Sequence, residues 1–355
     1  MRIAIDAREL VGRPTGVGRY LSELLAAWGE LAAATSHEFV LCTPEPIAGL
    51  RAGALRLSSA VSPGAGTLWE QLVLPRLVAS VGADVLFSPA YTCPLRCSVP
   101  IVLVIHDVSF AAHPEWFSWR EGLRRRTLGW LGARRAVKVL TLSDFSKREI
   151  VGCLGIDQAR IDVIYLGVSS LRAPVAREPL VLYVGSVFNR RHVPELIEGF
   201  SRLAARLPDV RLEIVGDNRT MPHVDLDALI ASSGAAARIR ARSYVSDEEL
   251  ASQYGSASAF AFLSEYEGFG LTPLEAMAAG IPIVVLDTEI AREVYGPAAL
   301  YLERPDPTLI AAGLERALVD HDERDRLLEA GTRQLARYSW RECAQRTLQA
   351  LLTAT

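Results

Sequence analysis

The stretch SEYEGFGLTPLEAM, residues 264–277, is the most informative part of this 355-residue chain. It follows a short apolar run typical of a buried strand and leads into a stretch with helical periodicity. Thr272, Pro273 and Glu275 match an N-cap, a first-turn proline and the glutamate of a capping box. The pattern therefore predicts a strand, a turn and then a helix whose N-cap is Thr272.

The same turn predicts an anion site. Gly268 and Gly270 let the backbone turn tightly and approach a ligand closely. The helix N-terminus adds unpaired amides and the positive end of the helix dipole, which suits a diphosphate. Glu275 has two open interpretations, a capping residue or a ligand contact. Glu267 precedes the helix, where no cap requires it, so its carboxylate can contact sugar hydroxyl groups or stabilise positive charge at an anomeric carbon.

Outward from this stretch, short apolar runs alternate with amphipathic stretches, which predicts parallel sheets covered by helices. The pattern restarts near Leu180, after a proline-containing linker at 172–179. We predict an α/β chain with two Rossmann-like domains, 1–172 and 173–339, whose parallel sheets face a central cleft. A last helix at 340–352, within the segment 340–355, is expected to pack back on the first domain. The predicted strands lie at 3–5, 39–41, 85–87, 101–105, 137–141, 180–184, 211–215, 259–263 and 281–286.

Charge and cysteine content exclude several classes of protein. The net charge of −3 predicts no nucleic-acid partner, because non-specific binding to nucleic acid needs a strong positive field. Five cysteines without a disulfide framework indicate a reducing compartment. Cys93 and Cys97 lack further ligands for a metal. Without a signal peptide or an apolar run long enough to span a bilayer, the chain is predicted to be cytoplasmic.

Glu267 and Glu275, separated by seven residues, resemble the E-x7-E motif of the family 4 retaining glycosyltransferases, which have the GT-B fold. EGFGL, LEAMA and the following Gly280-Ile281-Pro282 carry the match. It is most similar to the mannosyltransferase-like branch that builds bacterial surface polysaccharides. The resemblance continues through TGVGRY at 15–20, HD at 106–107, LSDFS at 142–146, VIYLGV at 163–168, VG at 184–185, RR at 190–191 and YVSDEEL at 244–250.

The resemblance implies roles for the glutamates and the turn. Glu275 would bind the ribose of the nucleotide, and Glu267 would contact the donor sugar near the reacting carbon. Tyr244 and Val245 would edge the base. Four backbone amides would hold the sugar and the distal phosphate, namely those of Gly268, Phe269, Gly270 and Leu271.

Further residues join the site by the same resemblance. Gly16 would approach the diphosphate from the first domain, although a plain tight turn explains it equally well. Arg190 and Arg191 resemble the family's basic pair, usually Arg-Lys, and arginine can bind phosphate through two N–H groups. A solvated helix face is the alternative. His106 would contact the donor sugar or the leaving phosphate, while Asp107 orients His106 or caps the following turn.

The implied function is retaining transfer of a hexose, with mannose the first choice, from a nucleotide-diphospho-sugar to a glycan, a lipid-linked or a small-molecule acceptor. The setting would be bacterial polysaccharide or glycoconjugate synthesis. GDP-mannose is the first donor, followed by GDP-linked 6-deoxy sugars and UDP-sugars. Arg190, Arg191 and the helix N-terminus would replace a divalent metal, so we expect neither metal nor cofactor. The alternatives are a nucleotide-sugar epimerase of the same fold and a two-domain sugar-binding protein.

One segment suggests a second partner. Residues 113–138 combine three tryptophans with many arginines, which suits peripheral contact with an anionic or lipid-linked acceptor at the inner face of the membrane. An ordinary helix with a basic outer face is the alternative. The residues concerned are Trp116, Trp119, Trp130, Arg120, Arg124, Arg125, Arg126, Arg134, Arg135 and Lys138.

Overall fold

The computed structural model describes residues 1–12, 16–169 and 175–355. Two compact units emerge, one made of Met1–Gly167 with Ser339–Thr355 and the other of Val168–Tyr338. Residues 172–174 of the predicted linker lie outside the described ranges, and 175–178 form neither helix nor strand. Each unit has its own parallel sheet, so the predicted α/β class with two Rossmann-like domains is confirmed.

The sheet of the first unit is parallel and has the order β3-β2-β1-β4-β5-β6-β7. Its strands are β1 (Arg2–Asp6), β2 (Glu38–Thr43), β3 (Arg56–Val61), β4 (Val85–Ser88), β5 (Ile101–Val104), β6 (Lys138–Thr141) and β7 (Ile161–Val163). Every residue of β4 and β5 is buried, as expected for continuous apolar strands covered on both faces. The strand order reverses between β1 and β4, and such a switch point is where open α/β sheets bind ligands.

Helices connect these strands and cover the sheet. They are α1 (Val17–Gly29), α2 (Ala32–Thr35), α3 (Gly66–Leu68), α4 (Leu74–Ser80), α5 (Ser109–Ala112), α6 (Trp119–Arg135) and α7 (Asp144–Leu154). A π-helical turn, Trp69–Val73, joins α3 to α4.

The second unit repeats the plan with the order β10-β9-β8-β11-β12-β13, again all parallel. The switch point here lies between β8 and β11. The strands are β8 (Leu180–Val184), β9 (Arg211–Val215), β10 (Ile239–Arg242), β11 (Ala259–Phe262), β12 (Ile283–Leu286) and β13 (Ala299–Leu302). The helices are α8 (Val193–Ala204), α9 (Leu226–Ser232), α10 (Asp247–Ser256), α11 (Leu271–Ala278), α12 (Glu289–Tyr295), α13 (Pro307–Val319) and α14 (His321–Leu335).

The last helix, α15 (Trp340–Leu352), belongs to the first unit, where it packs on α1. The indole Nε1 of Trp28 donates a buried hydrogen bond of 2.8 Å to the carbonyl of Ala344, which ties the two helices together. Ser339 caps α15 through the amide of Glu342. Among the helices that the structure describes, none is long and apolar enough to cross a membrane.

Close packing of α8 on α13 in the second unit predicts a steric effect at Gly199. A Cβ at this position would lie 2.6 Å from Cγ2 of Ile310 and 3.0 Å from the carbonyl oxygen of Pro307. We expect Gly199→Ala to lower the free energy of unfolding by about 1–3 kcal/mol, measured by urea denaturation followed by circular dichroism. Gly152→Ala is the matched control, because Gly152 is an exposed helical glycine with no atom within 4 Å of its Cβ position. This control should raise stability by about 0.5–1 kcal/mol. An equal effect of both substitutions would contradict the packing argument.

Candidate active site

The turn after β11 starts α11 in a way that differs from the sequence prediction. Gly270 is the N-cap in the left-handed region, with φ of +86°, and no described side chain caps the helix. The predicted capping box with Thr272 as N-cap is therefore wrong. The reason is tertiary, because the hydroxyl of Tyr295 donates to the carbonyl of Gly270 at 3.0 Å and would lie 2.0 Å from a Cβ there. Leu271 is thus the first helical residue.

Glu275 points into the second unit. Its side chain is 2% exposed, and the hydroxyl of Tyr254 on α10 donates to its Oε2 at 3.1 Å. The capping interpretation of Glu275 is excluded by this arrangement. A capping box occurs instead at the start of α10, between Ser246 and Glu249.

The two carboxylate oxygens of Glu267 have different surroundings. Oε1 accepts hydrogen bonds from Nε of Arg191 at 2.8 Å and from the hydroxyl of Ser264 at 2.8 Å, and it lies 2.7 Å from Nη2 of Arg191. Oε2 accepts no hydrogen bond from the described residues, and the side chain is 17% exposed. The carboxylate is therefore fixed through one oxygen and presents the other.

Arg191 lies over the carboxyl end of β8. Its Nη1 donates to the carbonyl of Ser186 at 2.8 Å, and its guanidinium carbon lies 4.8 Å from the ring centre of Phe262. Gly185, with φ of +145°, leaves room for this side chain, because a Cβ there would lie 2.8 Å from Nη1. Burial alone would lower the pKa of Arg191, but the neighbouring Glu267 carboxylate raises it above the usual arginine value.

Arg190 and Arg191 occupy a short 3₁₀ turn, Asn189–Arg191, and both guanidinium groups lie near the ring of Phe188. The guanidinium carbon of Arg190 lies 4.3 Å from the ring centre of Phe188. The backbone carbonyl of Arg190 accepts the amide of Glu265 at 3.0 Å, which joins this turn to the one after β11. Since β8 and β11 are neighbours, the switch point brings together both arginines and Glu267.

His192 completes this edge of the site and was not singled out from the sequence. It adopts φ of +50°, which is uncommon outside glycine. Its Nε2 lies 2.8 Å from Oε1 of Glu265 and its Nδ1 lies 3.4 Å from Oε1 of Glu195. Burial alone would lower the pKa of His192, but the two carboxylates raise it. No sequence signal marks the left-handed conformation of a histidine.

Three other residues of the second unit were predicted to contact the donor, namely Tyr244, Val245 and Phe269. Tyr244 and Val245 lie between β10 and α10, with the side chain of Tyr244 exposed and that of Val245 buried. The ring of Phe269 is buried and packs edge to face on Tyr338, with centroids 5.4 Å apart. Any ligand contact of Phe269 would therefore use its backbone.

In the first unit, His106 is buried two residues beyond β5. Its Nε2 lies 2.7 Å from the carbonyl oxygen of Pro89, and burial lowers its pKa, so the ring is neutral near pH 7. Asp107 accepts the amide of Ser109 at 2.8 Å on Oδ1 and the hydroxyl of Tyr91 at 2.9 Å on Oδ2. Of the two alternatives for Asp107, the structure favours a cap of the following turn over a contact with His106.

Gly16 is the exposed N-cap of α1, with φ of +46°. No atom lies within 4 Å of its Cβ position, so backbone conformation rather than crowding requires glycine. Residues 13–15, including Thr15 of the TGVGRY motif, lie outside the described ranges.

An ion cluster at the carboxyl end of β1 was not predicted from the sequence. Arg8 lies 2.7 Å from Asp6 and 3.2 Å from Glu70, and both carboxylates are buried. Glu70 lies in the π-helical turn and also accepts the hydroxyl of Thr92 at 2.6 Å. An aspartate directly after a predicted strand was the available signal.

Within the described part of the chain, no group of three or more His, Cys, Asp and Glu side chains is arranged to hold a metal ion. Cys93 is buried, and burial raises the pKa of its thiol.

Two family models divide the chain between them. Residues 14–170 match "Glycosyltransferase Family 4" and residues 172–334 match "Glycosyl transferases group 1". The chain belongs to family 4 of the glycosyltransferases. This family 4 assignment confirms the resemblance carried by the E-x7-E motif.

Mannosyltransferases are among the relatives of this glycosyltransferase. It is 29% identical to O-antigen chain mannosyltransferase B of Escherichia coli over 264 residues, which cover 70% of this chain and 69% of that protein. It is 30% identical to the MMP alpha-(1->4)-mannosyltransferase of Mycolicibacterium hassiacum over 273 residues, 71% of this chain and 65% of that protein. The structure of Anabaena HepE in complex with UDP-glucose has a TM-score of 0.78 at 18% identity, covering 99% of this chain and 100% of that one. The GT-B fold is thereby confirmed.

The surroundings of His192 predict how stability depends on pH. Because its pKa is raised on folding, the stability it contributes is fully present below the unfolded-state pKa of about 6.5 and is lost as pH rises through the higher folded-state value. We expect His192→Asn, which tolerates the left-handed conformation, to remove this part of the pH dependence of the urea midpoint. His223→Asn, at an exposed position, is the control and should keep it. Parallel pH curves for wild type and His192→Asn would contradict the argument.

Proposed function

We propose that this glycosyltransferase transfers a hexose, with mannose the first choice, from a nucleotide-diphospho-sugar with retention of anomeric configuration. The acceptor would be a glycan, a lipid-linked or a small-molecule hydroxyl compound in bacterial polysaccharide or glycoconjugate synthesis. The observation that carries the proposal is the asymmetry of Glu267, whose Oε1 is saturated by Arg191 and Ser264 while Oε2 is left for a ligand. A carboxylate fixed in this way can accept sugar hydroxyl groups and stabilise positive charge at the anomeric carbon as the leaving group departs.

The leaving diphosphate needs positive charge. Arg190, Arg191 and the N-terminus of α11 would supply it, with Glu267 offsetting part of the charge of Arg191. Since no described side chain caps α11, a phosphate oxygen can take the place of a capping acceptor. Retention would follow from attack on the face from which the phosphate leaves, with no metal required.

The donor and the remaining contacts are assigned by family and position. Glu275 would bind the ribose, and Tyr244 and Val245 would edge the base. Gly16 and His106 are the proposed contributions of the first unit. The two mannosyltransferase relatives support GDP-mannose as the first donor, and the HepE complex makes UDP-glucose the natural comparison. Membership of family 4 favours transfer over the epimerase and sugar-binding alternatives.

A thermal-shift panel tests the donor class. We expect one nucleotide class, tested as GDP-mannose, a GDP-linked 6-deoxy sugar and UDP-glucose, to stabilise the protein by about 2.7 kcal/mol at 100-fold excess over Kd. EDTA should leave the shift unchanged, because the proposed phosphate contacts are protein groups. A shift abolished by EDTA would contradict metal independence. Stabilisation by free mannose but by no nucleotide-sugar would favour the sugar-binding alternative.

Conservative variants separate the roles of the two glutamates. We expect Glu275→Gln to weaken nucleotide binding by about 10- to 100-fold, as the loss of a hydrogen bond to a charged group predicts. We expect Glu267→Gln to lower the rate of donor turnover by about 100-fold or more without weakening nucleotide binding, because the charge of Arg191 is then no longer offset. Calorimetry with the nucleotide and release of nucleotide from the donor are the two measurements.

Two controls make these results specific. Glu303→Gln changes an exposed glutamate beyond β13 and should alter neither quantity. Tyr254→Phe removes the hydroxyl that holds Glu275, so it shows how much of the Glu275 effect arises from side-chain position. Wild-type nucleotide affinity in Glu275→Gln would end the ribose assignment, and wild-type turnover in Glu267→Gln would end the proposed role of its carboxylate.

A further inference from the structure

Five large apolar side chains of the first unit are exposed on neighbouring segments, and we call this surface the α6 face. Trp119, Leu123 and Trp130 lie on α6, where spacings of four and seven residues place them on one stripe. Thr67, beside Leu68, accepts a hydrogen bond of 3.0 Å from Nη1 of Arg124, beside Leu123, so the two segments lie side by side. The exposed fractions are 72% for Trp119, 52% for Leu123, 39% for Trp130, 74% for Leu68 and 54% for Leu72.

The inner face of α6 explains why its large side chains point outward. The buried positions of this helix are Gly122, Gly129, Gly132 and Ala133. A Cβ at Gly129 would lie 3.0 Å from the ring of Phe110, so this part of the helix packs too closely for a larger residue. Of its larger apolar side chains, Leu128 and Leu131 are half-buried, whereas Trp119, Leu123 and Trp130 remain exposed. A helix that merely covered the sheet would have the opposite pattern.

The charges around the apolar stripe are mostly positive. α6 contains six arginines and one glutamate, whereas the whole chain has a net charge of −3. Glu121 engages Arg124 and Arg125. Arg135 donates to the backbone carbonyls of Cys97 and Val99, and no ion pair joins Arg120, Arg126 or Arg134 to a carboxylate within the described ranges.

Two of these arginines lie against the exposed tryptophans. The guanidinium carbon of Arg120 is 5.2 Å from the ring centre of Trp119, and that of Arg134 is 4.7 Å from the ring centre of Trp130. Arginine stacked on tryptophan unites an apolar ring with a fixed positive charge. Such a pair suits the boundary between lipid head groups and acyl chains, where aromatic rings and cations are both favoured.

We propose that the α6 face rests on a membrane surface that contains anionic lipids. The stripe would enter the head-group region, and Arg120, Arg126 and Arg134 would contact lipid phosphates. α6 has 17 residues, about 25 Å in length, which allows the whole stripe to lie flat on the surface. A second copy of the chain is a poorer occupant, because a symmetric contact would bring arginines against arginines. This inference does not depend on the donor or on the reaction proposed above.

Co-sedimentation of the full chain with lipid vesicles tests the proposal. We expect binding to vesicles of phosphatidylcholine and phosphatidylglycerol in equal parts, weakening as salt is raised, and little binding to pure phosphatidylcholine. Trp119→Ser combined with Leu123→Ser should weaken binding by about tenfold or more. Replacing Arg120, Arg126 and Arg134 together by glutamine should weaken it by about 100-fold, since each charge contributes about fivefold.

Matched controls lie elsewhere on the surface. Val319→Ser changes an exposed apolar residue of α13, and Arg341→Gln changes an exposed arginine of α15; both should bind vesicles like wild type. All variants should keep the wild-type unfolding temperature, because the substituted side chains are solvent-facing. Absence of vesicle binding, equal binding to both vesicle types, or equal loss in the controls would each overturn the proposal. Self-association through this face without vesicle binding, measured by sedimentation velocity, would also overturn it. Donor binding is measured without vesicles, so failure of one proposal is distinguishable from failure of the other.

Discussion

The ion pair between Arg191 and Glu267 fixes the geometry of the second unit's switch point, because it joins the loops that follow β8 and β11. The two residues are 76 positions apart in sequence and meet because their strands are neighbours in the sheet. Taking both charges out of water is unfavourable, so the pair is weak evidence for stability. Its clear consequence is that the loops after β8 and β11 are held at a fixed distance from each other. Replacing either partner alone would leave a largely buried charge without compensation, which typically destabilises a protein by about 3–5 kcal/mol.

The two glutamates of one motif have different chemistry because the fold gives them different surroundings. Glu275 is enclosed, and its carboxylate is held by the hydroxyl of Tyr254. Glu267 remains partly accessible, and its two oxygens are unequal. A carboxylate with both oxygens paired would be inert, and one with neither paired would be mobile. Pairing a single oxygen gives a defined position without removing the capacity to bind.

Much of the fold could be predicted because burial leaves a direct trace in the sequence. Each of the nine predicted strand runs coincides with a strand, and the predicted helix at 340–352 has the observed bounds, helped by the cap residue Ser339. Four strands were not predicted, for different reasons. β3 is an edge strand with largely exposed residues, and β10 alternates with arginine, so neither has a continuous apolar run. β7 has only three residues, and the apolar run of β13 was not recognised as a strand. The predicted start of α11 is wrong because the hydroxyl of Tyr295, 25 residues away in sequence, donates to the carbonyl of Gly270, which is the N-cap in place of Thr272. Local cap rules do not include such contacts.

The two units share a switch-point plan but not its electrostatics, and this difference follows from what each strand end presents. In the second unit, Arg190, Arg191 and Glu267 bring full charges to the edge of the sheet, together with a helix N-terminus that no described side chain caps. In the first unit, Asp6 and Glu70 balance the charge of Arg8, and burial lowers the pKa of His106, which favours its neutral form. Of the charged residues named here, the second unit brings two arginines and one carboxylate to its strand edge, whereas the first unit brings one arginine and two carboxylates. Through these side chains, an anion is therefore attracted more strongly to the second of the two edges.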